Sequence, residues 1–177
     1  MHKDFFALMD TVCSDLGTGA HWHNAASNAF RKIACRGLAR WSEAEACGDF
    51  KSLQKLCKLL QDKLDRTLTI TVDTPQINWQ SYKELPQILA NWEQWERDFA
   101  ATLTRAFKAA AEIDVEIYRF LICLTEEVEG EAMRIRFVAK NFEQSGYDWH
   151  HISRANIIMH DHYESSPDDQ TADWNIG

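Results

Sequence analysis

One stretch of this sequence abandons the apolar period that the rest of it keeps, and that break does most to limit the fold. Between Arg66 and Glu84 the run TLTITV is β-branched and extended in character, and Pro75 in DTPQIN stops any helix. On either side, apolar residues recur every three or four positions, one face of an α-helix. A link of roughly 20 residues can run the length of a helix bundle, whereas a short link makes antiparallel neighbours. The other links are short, one around Lys32 to Arg36 and one just before Asp114. Short, long, short describes an all-α four-helix bundle with one crossover, its second and third helices parallel.

The four helical stretches are each about 27 to 30 residues, or roughly 40 to 45 Å at 1.5 Å per residue. The first covers residues 3–31, with Phe5, Met9, Val12, Leu16, His23, Ala26 and Phe30 on one stripe. Gly17 and Gly19 either interrupt it or let a neighbour approach closely. The second runs from Gly37 to Asp65, with Ala39, Ala46, Phe50, Leu53, Cys57, Leu60 and Leu64 expected inward and Asp49 flanking them. Pro86 suits the first turn of the third, where its missing N–H does no harm. Leu85, Leu89, Trp92, Phe99, Leu103, Ala106 and Ala110 form its seam, and Glu96 is the one polar residue on it. Asp114 caps the fourth, whose seam is Ile117, Leu121, Leu124, Val128, Ile135, Val138 and Phe142. Gly146 stops it, and Asp148 to Tyr163 reads as a short fifth helix. The expected divisions are a bundle over 1–146, a short helix over 147–164 and an acidic tail over 165–177.

A chain of 177 residues suits one well-buried domain. No apolar run approaches the roughly 20 residues of a spanning helix, and the opening MHKDFFALMD is not laid out as a signal peptide, so no membrane role and a cytoplasmic location are expected. Five cysteines without CxxC spacing read as reduced thiols, largely packed as small apolar groups. A net charge of −8 with no Lys/Arg cluster on any one element argues against a nucleic-acid partner.

The chemistry lies in carboxylates placed where the seams should be apolar. Glu131 falls on the fourth seam, and Glu127, one turn before it, also leans inward by its position. A buried carboxylate needs a hydrogen-bond donor, a cation or a raised pKa. Asp49, Glu96 and Glu127 all lie near the middle of their helices, so in a bundle they fall at similar heights and would repel unless protons or a cation joined them. An ion pair with Arg97, Arg119 or Arg134, or an outward snorkel, explains Glu96 and Glu127 equally well. His23 reads more simply as a satisfied core histidine than as a ligand. The histidines at 150, 151, 160 and 162 read as an exposed helix face, and Trp41, Trp92 and Trp95 as packing.

Over about residues 5 to 145 the chain resembles the ferritins, through GLARW and LQKLCKLLQDKLDR in helix two, the TLTITVDTP crossover, WERDF in helix three, and DVEIYRFL and LTEEVE in helix four. The resemblance implies iron handling, assembly into a homo-oligomer and a metal centre on inward carboxylates. It carries the helix-three ligand onto Glu96 and the helix-four ligand onto Glu127. The Glu-x-x-His of helix two falls on Asp49-Phe50-Lys51-Ser52, which keeps a shorter carboxylate and loses the imidazole. Helix one offers Leu16 or a glycine in place of the usual Glu, with only Asp15 nearby. The expected metal set is therefore Glu96, Glu127, Asp49, Glu131 and Asp15, with iron or another divalent cation as ligand. The missing groups leave a second expectation open: a bundle without oxidation chemistry, serving as a structural or protein-binding subunit.

Overall fold

The computed structural model describes residues 2–73 and 75–165. Five α-helices are present among them: α1 (His2–Lys32), α2 (Arg36–Leu64), α3 (Leu85–Ala110), α4 (Val115–Gln144) and α5 (Trp149–Ser165). From residue 166 onward the expected acidic tail lies outside the described residues. None of the described helices is long and apolar enough to cross a membrane.

Several helix ends have a local cause. Asp65 ends α2 in the left-handed region at φ 48°, where an aspartate is tolerated, and its N–H bonds back to Gln61. Pro86 stands in the first turn of α3. Asp114 caps α4 by accepting from the N–H groups of Glu116 and Ile117 at 2.8 and 3.0 Å, and Gly146 at φ 64° follows its last turn.

Helix α1 packs chiefly on α2, and α3 on α4. The buried apolar side chains form two clusters, one towards each end of the bundle. One joins Phe30, Leu38, Trp41, Leu89, Trp92, Ile135 and Phe142 to Ile152, Ala155 and Met159 of α5. The other joins Phe5, Met9, Leu16, Leu56, Leu60, Leu103, Ile117 and Leu121. The first cluster takes the starts of α2 and α3 but the ends of α1 and α4, so α2 and α3 run parallel. Burying a side chain as large as those of Trp41 and Trp92 contributes about 2–3 kcal/mol each.

The crossover returns along α1, with no strand among its described residues. Its alternate N–H groups, at Thr69, Thr71 and Asp73, donate to Asp10, Ser14 and Thr18 of α1 at 3.0, 3.0 and 3.2 Å. Two extended residues advance about 6.6 Å and four helical residues about 6 Å, so the two periods stay in step over this length. Val72 lies so close to α1 that a Cβ on Gly17 would stand 2.8 Å from its Cγ2. Helix α1 continues unbroken through Gly17 and Gly19, and both glycines serve close approach.

Helix α2 departs from its expected stripe. Ala39, Ala46 and Leu60 of that stripe are buried, but Phe50 is 36% exposed and Leu53, Cys57 and Leu64 are only half-buried, while Leu38, Trp41 and Leu56 outside it are fully buried. The crossover covers the Leu53 side of the helix, with Ile70 and Val72 packed near Leu53 over Gly17. The inward face between Trp41 and Leu56 carries polar groups instead.

Candidate functional site

Between the two apolar clusters lies a polar layer. Helix α1 contributes His23, α2 contributes Glu45 and Asp49 one turn apart, α3 contributes Glu96, and α4 contributes Glu131 and Arg134. These groups line a cavity of about 30 Å³ together with Gly48, Ser52, Leu124, Glu127 and Val128, room for about a water molecule or a single ion. His23, Glu96 and Glu131 are buried.

Two of the carboxylates are held by the same local device. The indole N–H of Trp92 donates to Oε1 of Glu96 at 3.0 Å, and that of Trp41 donates to Oε1 of Glu45 at 3.1 Å. In each pair the tryptophan precedes the glutamate by four residues, one turn of the same helix. The two indoles pack together, centroids 4.7 Å apart. His23 is enclosed by Trp22, Trp92 and Trp95, at 5.1, 5.2 and 6.3 Å between ring centroids. The inner wall of the layer is thus aromatic and closed, while its mouth lies at Gly48, Ser52 and Glu127, between α2 and α4.

The layer has two halves. In one, Nε and Nη2 of Arg134 donate to Oε2 of Glu131 at 3.0 and 2.6 Å, and Nη2 stands 3.9 Å from Oε1 of Glu45. In the other, Nε2 of His23 is 3.7 Å from both Oδ2 of Asp49 and Oε1 of Glu96, too far for hydrogen bonds. Oδ2 of Asp49 and Nδ1 of His23 have no partner although both atoms are buried, and neither does Oε1 of Glu131. Burial pushes the carboxyl of Asp49 well above its usual range, and the Glu96 and Glu45 charges add to the rise. Glu131 is likewise driven well upward, first by burial and then by Glu45, against the pull of Arg134. Glu45 rises through burial, opposed by His23 and Arg134. Four carboxylates face one guanidinium and one imidazole, so the layer is short of positive charge.

Of the residues expected from sequence, Asp49, Glu96 and Glu131 come together in this layer. Glu127 does not lean inward: it is exposed at the mouth, where partial burial raises its pKa and Lys55 opposes the rise. Asp15 is not among the residues lining the cavity; it is half-buried, raised by burial and opposed by the Arg105 charge. Glu45, which hydrophobic period does not mark, and His23, expected as a core histidine, both line the cavity. The recurrence of Trp-x-x-x-Glu at 41–45 and 92–96 is a signal that points to Glu45.

Among solved structures, the open-pore ferritin of the hyperthermophilic archaeon Archaeoglobus fulgidus superposes with a TM-score of 0.78, covering 90% of this chain and 97% of that one. The fold is ferritin-like. The two sequences share 13% identity, so the likeness extends to the fold alone. No family model matches the sequence, and no curated protein does.

A ferritin-like fold raises the question of iron, and the residues present can be tested for it. Among the described residues no three His, Cys, Asp or Glu side chains converge into a finished metal cage. The His23 half nevertheless comes close. Donor atoms on a tetrahedral ion with bonds of ~2.1 Å stand roughly 3.4 Å apart, and the nitrogen-to-oxygen separations from His23 to Asp49 and to Glu96 are 3.7 Å each. The half offers one ring nitrogen and two carboxylates. That donor set suits Fe(II), Mn(II) or Zn(II).

Proposed function

We propose that this chain binds a divalent cation, with Fe(II) the first candidate, in the half of the polar layer made by His23, Asp49 and Glu96. The observation that carries the reading is the unpartnered, buried Oδ2 of Asp49, 3.7 Å from an imidazole that does not hydrogen-bond it. A buried acceptor without a donor is costly, and an ion joining it to His23 and Glu96 removes that cost. Trp92 supports the ligand Glu96 from behind, as outer groups do in metal sites. Glu127, at the mouth, attracts the incoming ion, and Glu131 with Glu45 keeps the layer negative. Asp15 stays outside this proposal.

Iron handling follows from the same reading in a limited form. Binding Fe(II) needs one ion, whereas reduction of dioxygen by two electrons needs two Fe(II), so oxidation and storage depend on whether a second ion can be held. Self-association into a homo-oligomer, as the fold suggests, and a cytoplasmic setting, which suits free cysteines at 13, 35, 47, 57 and 123, belong to this proposal.

One observation favours a second reading, a bundle that serves as a structural or protein-binding subunit. Arg134 already neutralises part of the layer. Anaerobic titration of the purified protein with Fe(II) and with Mn(II) separates the two. Saturable uptake that is lost in Glu96→Ala and in Asp49→Asn supports the metal site. No uptake by the folded protein sinks it and leaves the structural reading. Mass by size exclusion with light scattering tests the assembly separately.

A further inference from the structure

We infer that the guanidinium of Arg134 is a resident cation: it fills the Glu45–Glu131 half of the layer, and the chain therefore takes one ion fewer than its carboxylates could hold. The inference rests on the reading of the layer as a cation site, and it concerns a residue that would ligate nothing.

The two halves differ in the group that faces the carboxylates. Arg134 spends two N–H groups on one oxygen of Glu131 and turns Nη2 towards Glu45, whereas Asp49 and Glu96 in the other half face the imidazole of His23, 3.7 Å from each. The Arg134 side chain is 24% exposed against 4% for Glu131, so the charge enters the layer from its outer edge and points inward. The residue one turn earlier on α4 is Gly130, and a Cβ there would stand 3.9 Å from Nη1 of Arg134.

Charge balance leads to the same point. The inner layer holds four carboxylates, Glu45, Asp49, Glu96 and Glu131, which two divalent ions would neutralise fully. With Arg134 in place, one divalent ion leaves the layer with one net negative charge, which a single proton shared among buried carboxylates removes. A second divalent ion would leave the layer positive and would have to displace a hydrogen-bonded guanidinium from Glu131. The arginine thus converts a layer with room in charge for two ions into a one-ion layer, and so removes the partner ion that two-electron oxidation would require.

The test counts ions, with Mn(II) under equilibrium dialysis and elemental analysis, and anaerobic Fe(II) as a second probe. Arg134→Gln and Arg134→Met remove the charge with shorter side chains, and Arg134→Lys keeps it. The expected result is one more ion per chain in both neutral variants than in the wild type, and the wild-type count in Arg134→Lys. The thermal midpoint is the second readout: Mn(II) should raise it more in the neutral variants than in the wild type, including the case in which those variants fold only with Mn(II) supplied. An unchanged count with no larger rise, or a neutral variant that Mn(II) does not rescue, overturns the inference. The wild-type count bears on the preceding proposal alone: a wild type that binds no ion defeats that proposal, while a gain of one ion on removing Arg134 still upholds the role assigned to the arginine.

Discussion

Gly19 offers a direct test of how tightly the polar layer is packed. An ideal Cβ on Gly19 would stand 2.6 Å from Cη2 of Trp95 and 2.8 Å from Oδ2 of Asp49. Gly130, in the interior of α4, has only the end of a flexible Arg134 side chain at 3.9 Å from the same ideal atom. Both glycines lie inside long helices, so replacement by alanine gains about 1 kcal/mol of helix propensity in each. At Gly130 that gain stands alone, and Gly130→Ala should raise Tm by about 2–4 °C for a chain of this size. At Gly19 an overpacking cost of about 1–3 kcal/mol opposes it. Because propensity cancels between the two variants, their difference isolates the clash, a gap of roughly 2–12 °C in Tm. Thermal unfolding followed by circular dichroism reads this directly. The carboxylate oxygen that the new methyl would push is the one facing His23, so Gly19→Ala should also weaken Mn(II) binding while Gly130→Ala leaves it within twofold. Equal stabilisation by both substitutions would show that α1 does not approach Trp95 and Asp49 this closely, and the description of the layer would fail with it.

The remaining predictions concern charge and capping. The carboxyls of Asp49 and Glu131 have folded-state pKa values raised above their unfolded values, so their protonated forms favour the fold; this stability is fully present below the unfolded values and is lost as pH rises towards the raised ones. Metal-free protein should therefore be less penalised by these groups near pH 5 than near pH 7, and Asp49→Asn should raise Tm at pH 7 and flatten the pH profile measured by scanning calorimetry. Arg134→Gln, which leaves Glu131 without its guanidinium, should cost about 2–3 kcal/mol in the metal-free protein after allowance for the arginine's partial exposure, or roughly 4–12 °C in Tm. Asn156 of α5, buried, accepts from the N–H of Leu38 in the first turn of α2 at 3.1 Å; Asn156→Ala should lower Tm by about 2–8 °C, from the ~1–2 kcal/mol such a bond carries. Glu127→Gln at the mouth should slow Mn(II) association in stopped flow at low salt, with the difference shrinking as ionic strength screens the charge.

How much of this was legible in the sequence depended on whether the inward face of each helix was apolar. On α3 and α4 it is, with Glu96 and Glu131 as the buried acidic insertions among residues such as Trp92, Phe99, Val128 and Ile135, so both seams and both carboxylates could be read from spacing. On α2 the inward positions around the middle are polar: the face runs Trp41, Glu45, Asp49, Ser52, Leu56 and Leu60, while a separate apolar row at Phe50, Leu53 and Cys57 looks outward or lies under the crossover. Hydrophobic period keeps Ala39, Ala46 and Leu60 inward but selects the wrong row in the middle of the helix, because a polar layer removes the very signal on which that reading depends. His23 was hidden in the opposite way, since a histidine on an apolar stripe is most simply a core residue until Asp49 and Glu96 arrive from other helices. The crossover's β-branched run reads as extended, but that it docks on Asp10, Ser14 and Thr18 required knowing its neighbour. What spacing did contain, unread, is the pair of tryptophans each placed four residues before an inward glutamate. An indole N–H buried in a core needs an acceptor, and a buried glutamate needs a donor. On an α-helix an i to i+4 spacing satisfies both at once. When two helices repeat that spacing and the two indoles pack on each other, their glutamates are brought to one level, so the height of the layer follows from Trp41 and Trp92 before any metal is considered.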